Sequence, residues 1–419
     1  MQDAVHARAA ILGGICVVLW LTELVPPFVP TLLLLVATPL LLGSFGEQYE
    51  LPSVITWSAD PVLALFFGGF ALGAAAHRHG IDAEVARLIV SLSKHRRRML
   101  VALVLGGTAL MSMWMSNIAA AAMMLTALRP IIHGVEVDPR LRAALLLSVA
   151  MGGNLGGIAT PIGTGPNALA IAAATEHQSI TFAAWMAFGT PLALGMLIFV
   201  YGILVVRYRV AGAFEHEPPA PTARQPSAPW VVVIFLLAVV GWLSEPFHGV
   251  SAPLLSLGVT ALLFGTRLLG KDDLASIDWS TLGLIAGGIM LGKLFEHTGL
   301  FEQLSQKVPW TEYPRVVLLS ALVLSGALLS SVMSNTGTAA LLIPLAMTLV
   351  PTPSMAVIVA VATSFGMPFA ISTPSNAMAH GEGGLKASDL LVVGVPTMIV
   401  GCVVLALTGQ AALTLFNVP

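Results

Sequence analysis

The sequence predicts an all-α polytopic membrane protein built from two inverted repeats of five transmembrane helices, each with a re-entrant hairpin and a broken helix. Three observations carry this. The composition is apolar and poor in charge, the loops between apolar segments sort their basic residues to one side, and four motifs recur in the same order.

Hydrophobic residues make up 57% of the chain and charged residues 10%, where a soluble domain carries about 25% charged. A core cannot hide that much apolar surface, so lipid must act as solvent for much of it. Tyrosine is scarce and no basic tract interleaves with aromatics, which excludes nucleic-acid binding. Cys16 and Cys402 lie in apolar runs and read as small core residues, not as a disulfide framework. Arg8 precedes an apolar stretch from Ala9 to Leu24, as in a secretory leader. No small-x-small cleavage site follows, so this stretch is expected to be the first membrane helix.

A helix needs about 20 mostly apolar residues to cross the hydrocarbon. Such segments fall at 8–25, 29–45, 61–78, 141–176, 185–206, 229–247, 252–269, 280–298, 355–387 and 389–411. Two of them, 141–176 and 355–387, are too long and carry Gly/Pro clusters at the centre, as broken helices do. Two further stretches, about 99–130 and 315–350, each divide into short arms around a Ser-Asn and read as re-entrant hairpins. On this layout fifteen of the 19 Lys and Arg residues fall on one side, among them Arg96 to Arg98, Arg140, Arg142, Arg207, Arg209, Arg224 and Lys386. Arg8, Lys307 and Arg315 fall on the other side, and Lys293 lies within a span. The basic side is the cytoplasmic one, which places both termini outside. The run Lys94 to Arg98 follows an amphipathic stretch and reads as the flank of an interfacial helix.

The halves repeat. Trp20-Leu21-Thr22-Glu23 recurs as Trp242-Leu243-Ser244-Glu245. Gly68-Gly69, Gly73 and Gly80 recur as Gly287-Gly288, Gly292 and Gly299. Ser116-Asn117 answers Ser334-Asn335, and Thr164-Gly165-Pro166-Asn167 answers Thr373-Pro374-Ser375-Asn376. Five spans per half is an odd number, so the second copy enters the membrane inverted. The expected organisation is an N-terminal repeat (1–210), a polar, Pro-rich cytoplasmic linker (211–228) and a C-terminal repeat (229–419). Inverted repeats with discontinuous helices and a site near the midplane are a transporter architecture.

The hairpin tips carry the chemistry. An isolated Ser-Asn in hydrocarbon reads as interhelical hydrogen bonding. Two such pairs, each followed by a broken helix, point instead to a binding site, because an unsatisfied polar group there costs several kcal/mol. Broken helices present backbone N–H groups to anions and carbonyls to cations such as Na⁺.

At these residues the chain resembles the divalent anion/sodium symporter family of the ion transporter superfamily. The family's Trp-x-Thr-Glu segment matches Trp20 to Glu23, and its Gly-Gly-x-x-Leu-Gly-Lys segment matches Gly287 to Lys293. The two Ser-Asn tips and the two breaks match its remaining motifs, and the likeness covers nearly the whole chain. The resemblance implies an elevator-type homodimer in the bacterial inner membrane, with a fixed scaffold and a moving transport domain. It further implies import of a small di- or tricarboxylate-type anion, or sulfate, by sodium symport with two or more Na⁺. Carried over by position, it assigns a first sodium site to Ser112, Ser116, Asn117 and Gly163. It assigns a second to Ser330, Ser334, Asn335 and Ser372. The anion falls among Asn117, Ile118, Thr164, Asn335, Thr336, Thr373 and Pro374. Ser112 and Ser330 each precede their tip serine by four residues, on one helix face.

Departures from the family pattern bear on the substrate. Ile118 replaces the first tip's threonine, removing a hydroxyl donor and favouring an asymmetric or partly apolar acid. Gly165 and Ser375 each stand where the family has proline. His380 and Glu382 read as a polar helix end, with proton coupling as the other reading. An anion exchanger or a proton-coupled carrier on the same fold is the alternative function. No Asp pair within the spans, no Gly-x-Ser-x-Gly and no nucleotide loop is present, which argues against an intramembrane protease and an ATP-driven pump.

Overall fold

The computed structural model describes residues 2–22, 24–94, 96–134, 138–175, 179–213, 225–305, 313–350 and 352–415. Glu23, residues 214–224 of the expected linker (Arg224 included) and Lys307 lie outside the described residues. The described residues are nearly all helical, with one isolated antiparallel bridge between Arg96 and Ala213.

The first half contains α1 (Gln2–Thr22), α2 (Val29–Leu42), α3 (Pro61–Arg78), α4 (Ile81–Leu92), α5 (Arg97–Ser112), α6 (Asn117–Ile132), α7 (Pro139–Gly156), α8 (Gly165–Thr175) and α9 (Phe182–Arg207). The second contains α10 (Ala228–Leu243), α11 (Ala252–Gly265), α12 (Trp279–Thr298), α13 (Arg315–Ser330), α14 (Asn335–Leu349), α15 (Pro353–Ser364), α16 (Pro374–Gly381) and α17 (Ala387–Leu415). Helix starts are written into the sequence. Asp60, Asp138, Thr181 and Asp278 accept from the backbone N–H groups of Val62, Arg140, Ala184 and Thr281. Each cap satisfies a donor the helix leaves orphaned, a contribution of about 1 kcal/mol.

By length and composition α1, α3, α7 with its extension to Ala159, α9 and α17 can each cross a membrane. The segments expected at 229–247 and 252–269 form helices of only 16 and 14 residues. The first stops at Leu243 because Ser244 turns the chain into a separate one-turn helix, Glu245–His248, opened by Pro246. The segment expected at 355–387 ends its second helix at Gly381, since Gly383 and Gly384 take φ of 81° and 85° and turn the chain towards α17.

The halves exchange helices. α3 packs on α11 and α12 packs on α2, so the corresponding helix of each half leans on the other half. The repeated glycines make this possible. A Cβ on Gly68 would lie 2.9 Å from Ser256 Cα, and one on Gly287 would lie 3.1 Å from Thr31 Cβ. The Thr31 hydroxyl also donates to the Gly283 carbonyl at 2.6 Å. Two buried helices organise the rest. α5, α6 and α16 pack on α7, while α13, α14 and α8 pack on α15. Both α7 and α15 therefore touch pieces of both halves, which is where the Ser-Asn tips and the helix breaks lie.

Candidate functional site at the hairpin tips and helix breaks

Each hairpin is two helical arms joined by a four-residue tip, 113–116 between α5 and α6 and 331–334 between α13 and α14. The tip serines cap the second arms. Ser116 Oγ accepts from Ala119 N at 3.3 Å and Ser334 Oγ accepts from Gly337 N at 3.1 Å. Their hydroxyl oxygens therefore hold the tip shape.

In the first half Ser112, Asn117 and Gly163 come together. The buried Ser112 hydroxyl donates to the Gly153 carbonyl at 2.6 Å. One terminal atom of the Asn117 carboxamide lies 2.7 Å from Ser112 Oγ, 3.0 Å from Gly163 O and 3.3 Å from Gly153 O. Ser112 has a single hydrogen, already given to Gly153, so the Asn117 amide nitrogen facing this cluster can give its two hydrogens to Ser112 Oγ and the Gly163 carbonyl. With the carboxamide turned over, four oxygens converge on one point, an arrangement that calls for a cation.

The second half repeats the motif with one difference. Ser330 donates to Asn335 Oδ1 at 2.6 Å, as the sequence spacing implies. Ser372 instead donates to the Ser331 carbonyl at 2.7 Å, joining the break to the tip through the backbone. The breaks are held alike. Asn167 Nδ2 donates to the carbonyls of Gly157 and Thr160 at 2.9 and 2.7 Å. Asn376 Nδ2 donates to those of Met367 and Phe369 at 3.0 and 2.8 Å. Thr373 caps α16 by accepting from Asn376 N at 3.2 Å.

The tips and breaks are paired crosswise. Ser375 of the second break donates to the Asn117 carbonyl of the first tip at 3.3 Å. Gly165 of the first break faces Thr336 of the second tip so closely that a Cβ there would meet the Thr336 side chain. Thr164 lies beside Gly157, whose missing side chain leaves room for Asn117 and Gly163. Thr336 and Thr373 are buried, Asn117, Thr164 and Asn335 half-buried, and Ile118 and Pro374 exposed. Ile118 thus presents an apolar side chain, 44% exposed, directly beside Asn117.

Asn154 belongs to this site although the sequence reading passed over it. It lies on α7, 1% exposed, and donates to Asn376 Oδ1 at 2.9 Å. A lone asparagine between two glycine pairs, Gly152-Gly153 and Gly156-Gly157, was the available signal. The carboxamide oxygens of Asn154 and Asn167 and the Ser364 hydroxyl are buried and have no hydrogen-bond partner among the described residues.

The first tip has a further anchor. Trp114 stacks at 6.3 Å on Trp242 of α10 and at 6.2 Å on Phe182 of α9, whose rings lie 5.0 Å apart, and it meets Phe235 edge-on. Val332 of the second tip is 53% exposed. Glu382, beyond α16, accepts from Arg129 at 2.8 Å and lies 3.1 Å from His133 Nε2, both near the end of α6; His380 is exposed. Lys293 lies 3.4 Å from Glu296, one turn along α12.

With this geometry in place, comparison with known proteins gives the family. The profile of the CitMHS citrate transporters matches residues 17–363, spanning both tips and the first break. The chain belongs to the citrate transporter family. An uncharacterized transporter of Haemophilus influenzae is 28% identical, the alignment covering 97% of this chain and 92% of that one. The sodium-dependent dicarboxylate transporter SdcS of Staphylococcus saprophyticus is 27% identical over 93% of this chain and 82% of its own length. Among solved structures, the Alcanivorax borkumensis YdaH transporter superposes with a TM-score of 0.59 at 14% identity, covering 92% of this chain and 98% of that one. That likeness is one of fold. Together these matches bear out the resemblance to the divalent anion/sodium symporters, and they make the protein a multi-pass membrane transporter, not an enzyme.

Proposed function

We propose that this citrate-family transporter imports a small di- or tricarboxylate-type anion, or sulfate, by sodium symport, with the anion held between the two tips and the two breaks. The observation that carries the reading is the crosswise pairing of Ser375 with Asn117 and of Gly165 with Thr336. It gathers hydroxyl and amide groups from both halves with no charged side chain among the assigned residues, so the anion is held weakly enough to be released. The cation reading is supported by the convergence of the Ser112 hydroxyl and the Gly153 and Gly163 carbonyls on the Asn117 carboxamide, and by the related Ser330–Asn335 pair. Neutral oxygen ligands without a carboxylate suit a monovalent ion. The sodium dependence of the SdcS relative points the same way.

In this reading the halves are inverted repeats joined by the linker at 211–228, and the hairpins are re-entrant. Each hairpin arm has 15 or 16 residues, a length of about 24 Å at ~1.5 Å per residue, short of a hydrocarbon core of ~30 Å. The protein works as a homodimeric elevator in a bacterial inner membrane. Two Na⁺ balance a dianion, whose entry against −100 mV costs about 4.6 kcal/mol at ~2.3 kcal/mol per charge.

The test is uptake of labelled carboxylates and sulfate into proteoliposomes under separate Na⁺ and proton gradients. Sigmoidal Na⁺-dependent uptake of a dianion is expected. Full-rate transport in choline buffer driven only by counter-substrate rejects symport and leaves the exchanger.

A further inference from the structure

A second polar site lies away from the tips, where α7 and α17 begin and α9 ends. A cavity of about 610 Å³ opens there, its charged and phenolic lining supplied by Arg140, Arg207, Arg209, Lys386, Tyr208 and Asp389. Four cations against one carboxylate give the lining a net charge of +3, in a chain whose net charge is −2. The carboxylate is already engaged. Tyr208 donates its hydroxyl to Asp389 Oδ1 at 2.9 Å, and the Lys386 backbone N–H donates to Oδ2 at 3.0 Å. Burial first, and then this bond to Asp389, push the Tyr208 phenol above its ordinary range, so it remains the donor. Among the described residues none of the four cations forms an ion pair with a carboxylate. The neighbouring Arg142 also has a buried Nε without a hydrogen-bond partner among the described residues.

Two features show that the clustering is built into the backbone. Arg209 holds a left-handed φ of 49°, uncommon for a residue with a side chain. Gly384, at φ 85°, lets the chain pass so close to Arg142 that a Cβ would lie 2.6 Å from its Cδ. Like charges that line one cavity repel one another, and an anion placed among them offsets that repulsion.

The rim identifies the anion. Val206 lines the cavity and is 78% exposed. Below it on α9, Ile198 and Leu194 are also exposed, and Leu391 and Val392 are exposed on α17, which packs against α9. A cationic cavity above an exposed apolar flank matches the shape of a phospholipid, with its phosphate above and its acyl chains below. The face is also the one to which the loop charges assign the cytoplasmic leaflet, where anionic lipids attract basic residues. We propose that this cavity binds the phosphate-bearing headgroup of an anionic phospholipid.

The experiment is native mass spectrometry of the purified transporter incubated with phosphatidylglycerol or with phosphatidylcholine, each with and without excess inorganic phosphate. The comparison is with a variant carrying Arg140→Gln, Arg209→Gln and Lys386→Gln. At roughly fivefold per basic residue near an anionic surface, the variant should lose phosphatidylglycerol retention by on the order of a hundredfold. Its weak phosphatidylcholine adducts should be unchanged. Equal retention by wild type and variant overturns the proposal and leaves these residues as orientation signals only. If inorganic phosphate displaces the lipid completely and alone gives the same thermal stabilisation, the site belongs to free phosphate and the lipid assignment is wrong. Should the triple variant misfold, Arg209→Gln alone, on an exposed turn, gives the same reading with about a fivefold loss.

Discussion

The Asn154 amide donates to the Asn376 carboxamide oxygen at 2.9 Å across 222 residues of chain, tying the helix before the first break to the helix after the second. Both residues are essentially inaccessible. Loss of the donor leaves Asn376 Oδ1 buried without it, a cost of about 1–3 kcal/mol. Asn154→Ala is therefore expected to lower the thermal midpoint in detergent and to impair uptake. A cycle with Asn376→Ala should show coupling of at least about 0.5 kcal/mol, and strict additivity would mean that the bond contributes nothing.

Gly157 permits a close approach within the first break, since a Cβ there would lie 2.9 Å from both the Asn117 carboxamide and Gly163 O. Gly157→Ala should abolish uptake while dispersing as a folded protein. Gly202 of α9 has nothing among the described residues within 4 Å of the same position, so Gly202→Ala should leave the fold at least as stable as wild type, by up to about 0.5–1 kcal/mol. Full uptake by Gly157→Ala would show that the break repacks freely.

For the proposed cation sites, Ser112→Ala and Ser330→Ala should each raise the Na⁺ concentration for half-maximal uptake about tenfold, the loss of one oxygen ligand worth ~1.4 kcal/mol. The apparent KM for the anion should change less. A larger shift in the anion constant than in the Na⁺ constant would move these serines into the anion site.

Ile118 stands exposed beside Asn117. Ile118→Thr adds a hydroxyl next to the proposed anion and should move preference towards symmetric dicarboxylates, read as a change of rank across a substrate panel. An unchanged ranking shows the isoleucine to be incidental.

What was legible in the sequence was local or periodic. The Ser116 and Ser334 caps, the Ser112–Asn117 and Ser330–Asn335 pairs and the two helix breaks all lie within a few residues of their motifs. The glycine repeats were legible as a pattern, and their packing against Ser256 and Thr31 explains them. What was not legible was long-range. Nothing in a linear reading joins Ser375 to Asn117 across 258 residues, or Glu382 to Arg129 across 253. The expected span ran on to Phe247, although Ser244-Glu245-Pro246 already marks the stop of α10 at Leu243. Asn154 was hidden because one amide in an apolar helix looks like an interhelical hydrogen bond until its partner is known.

The rings around Trp114 make the two tips unequally anchored. Three aromatic contacts, each worth about 0.5–1.5 kcal/mol beyond burial, hold the first tip to α9 and α10, whereas Val332 at the second tip is 53% exposed. A carrier with matched tips has no preferred resting orientation. In the proposed elevator cycle, parting of the first tip is therefore expected to be the slower of the two tip movements even when the gradients across the membrane vanish.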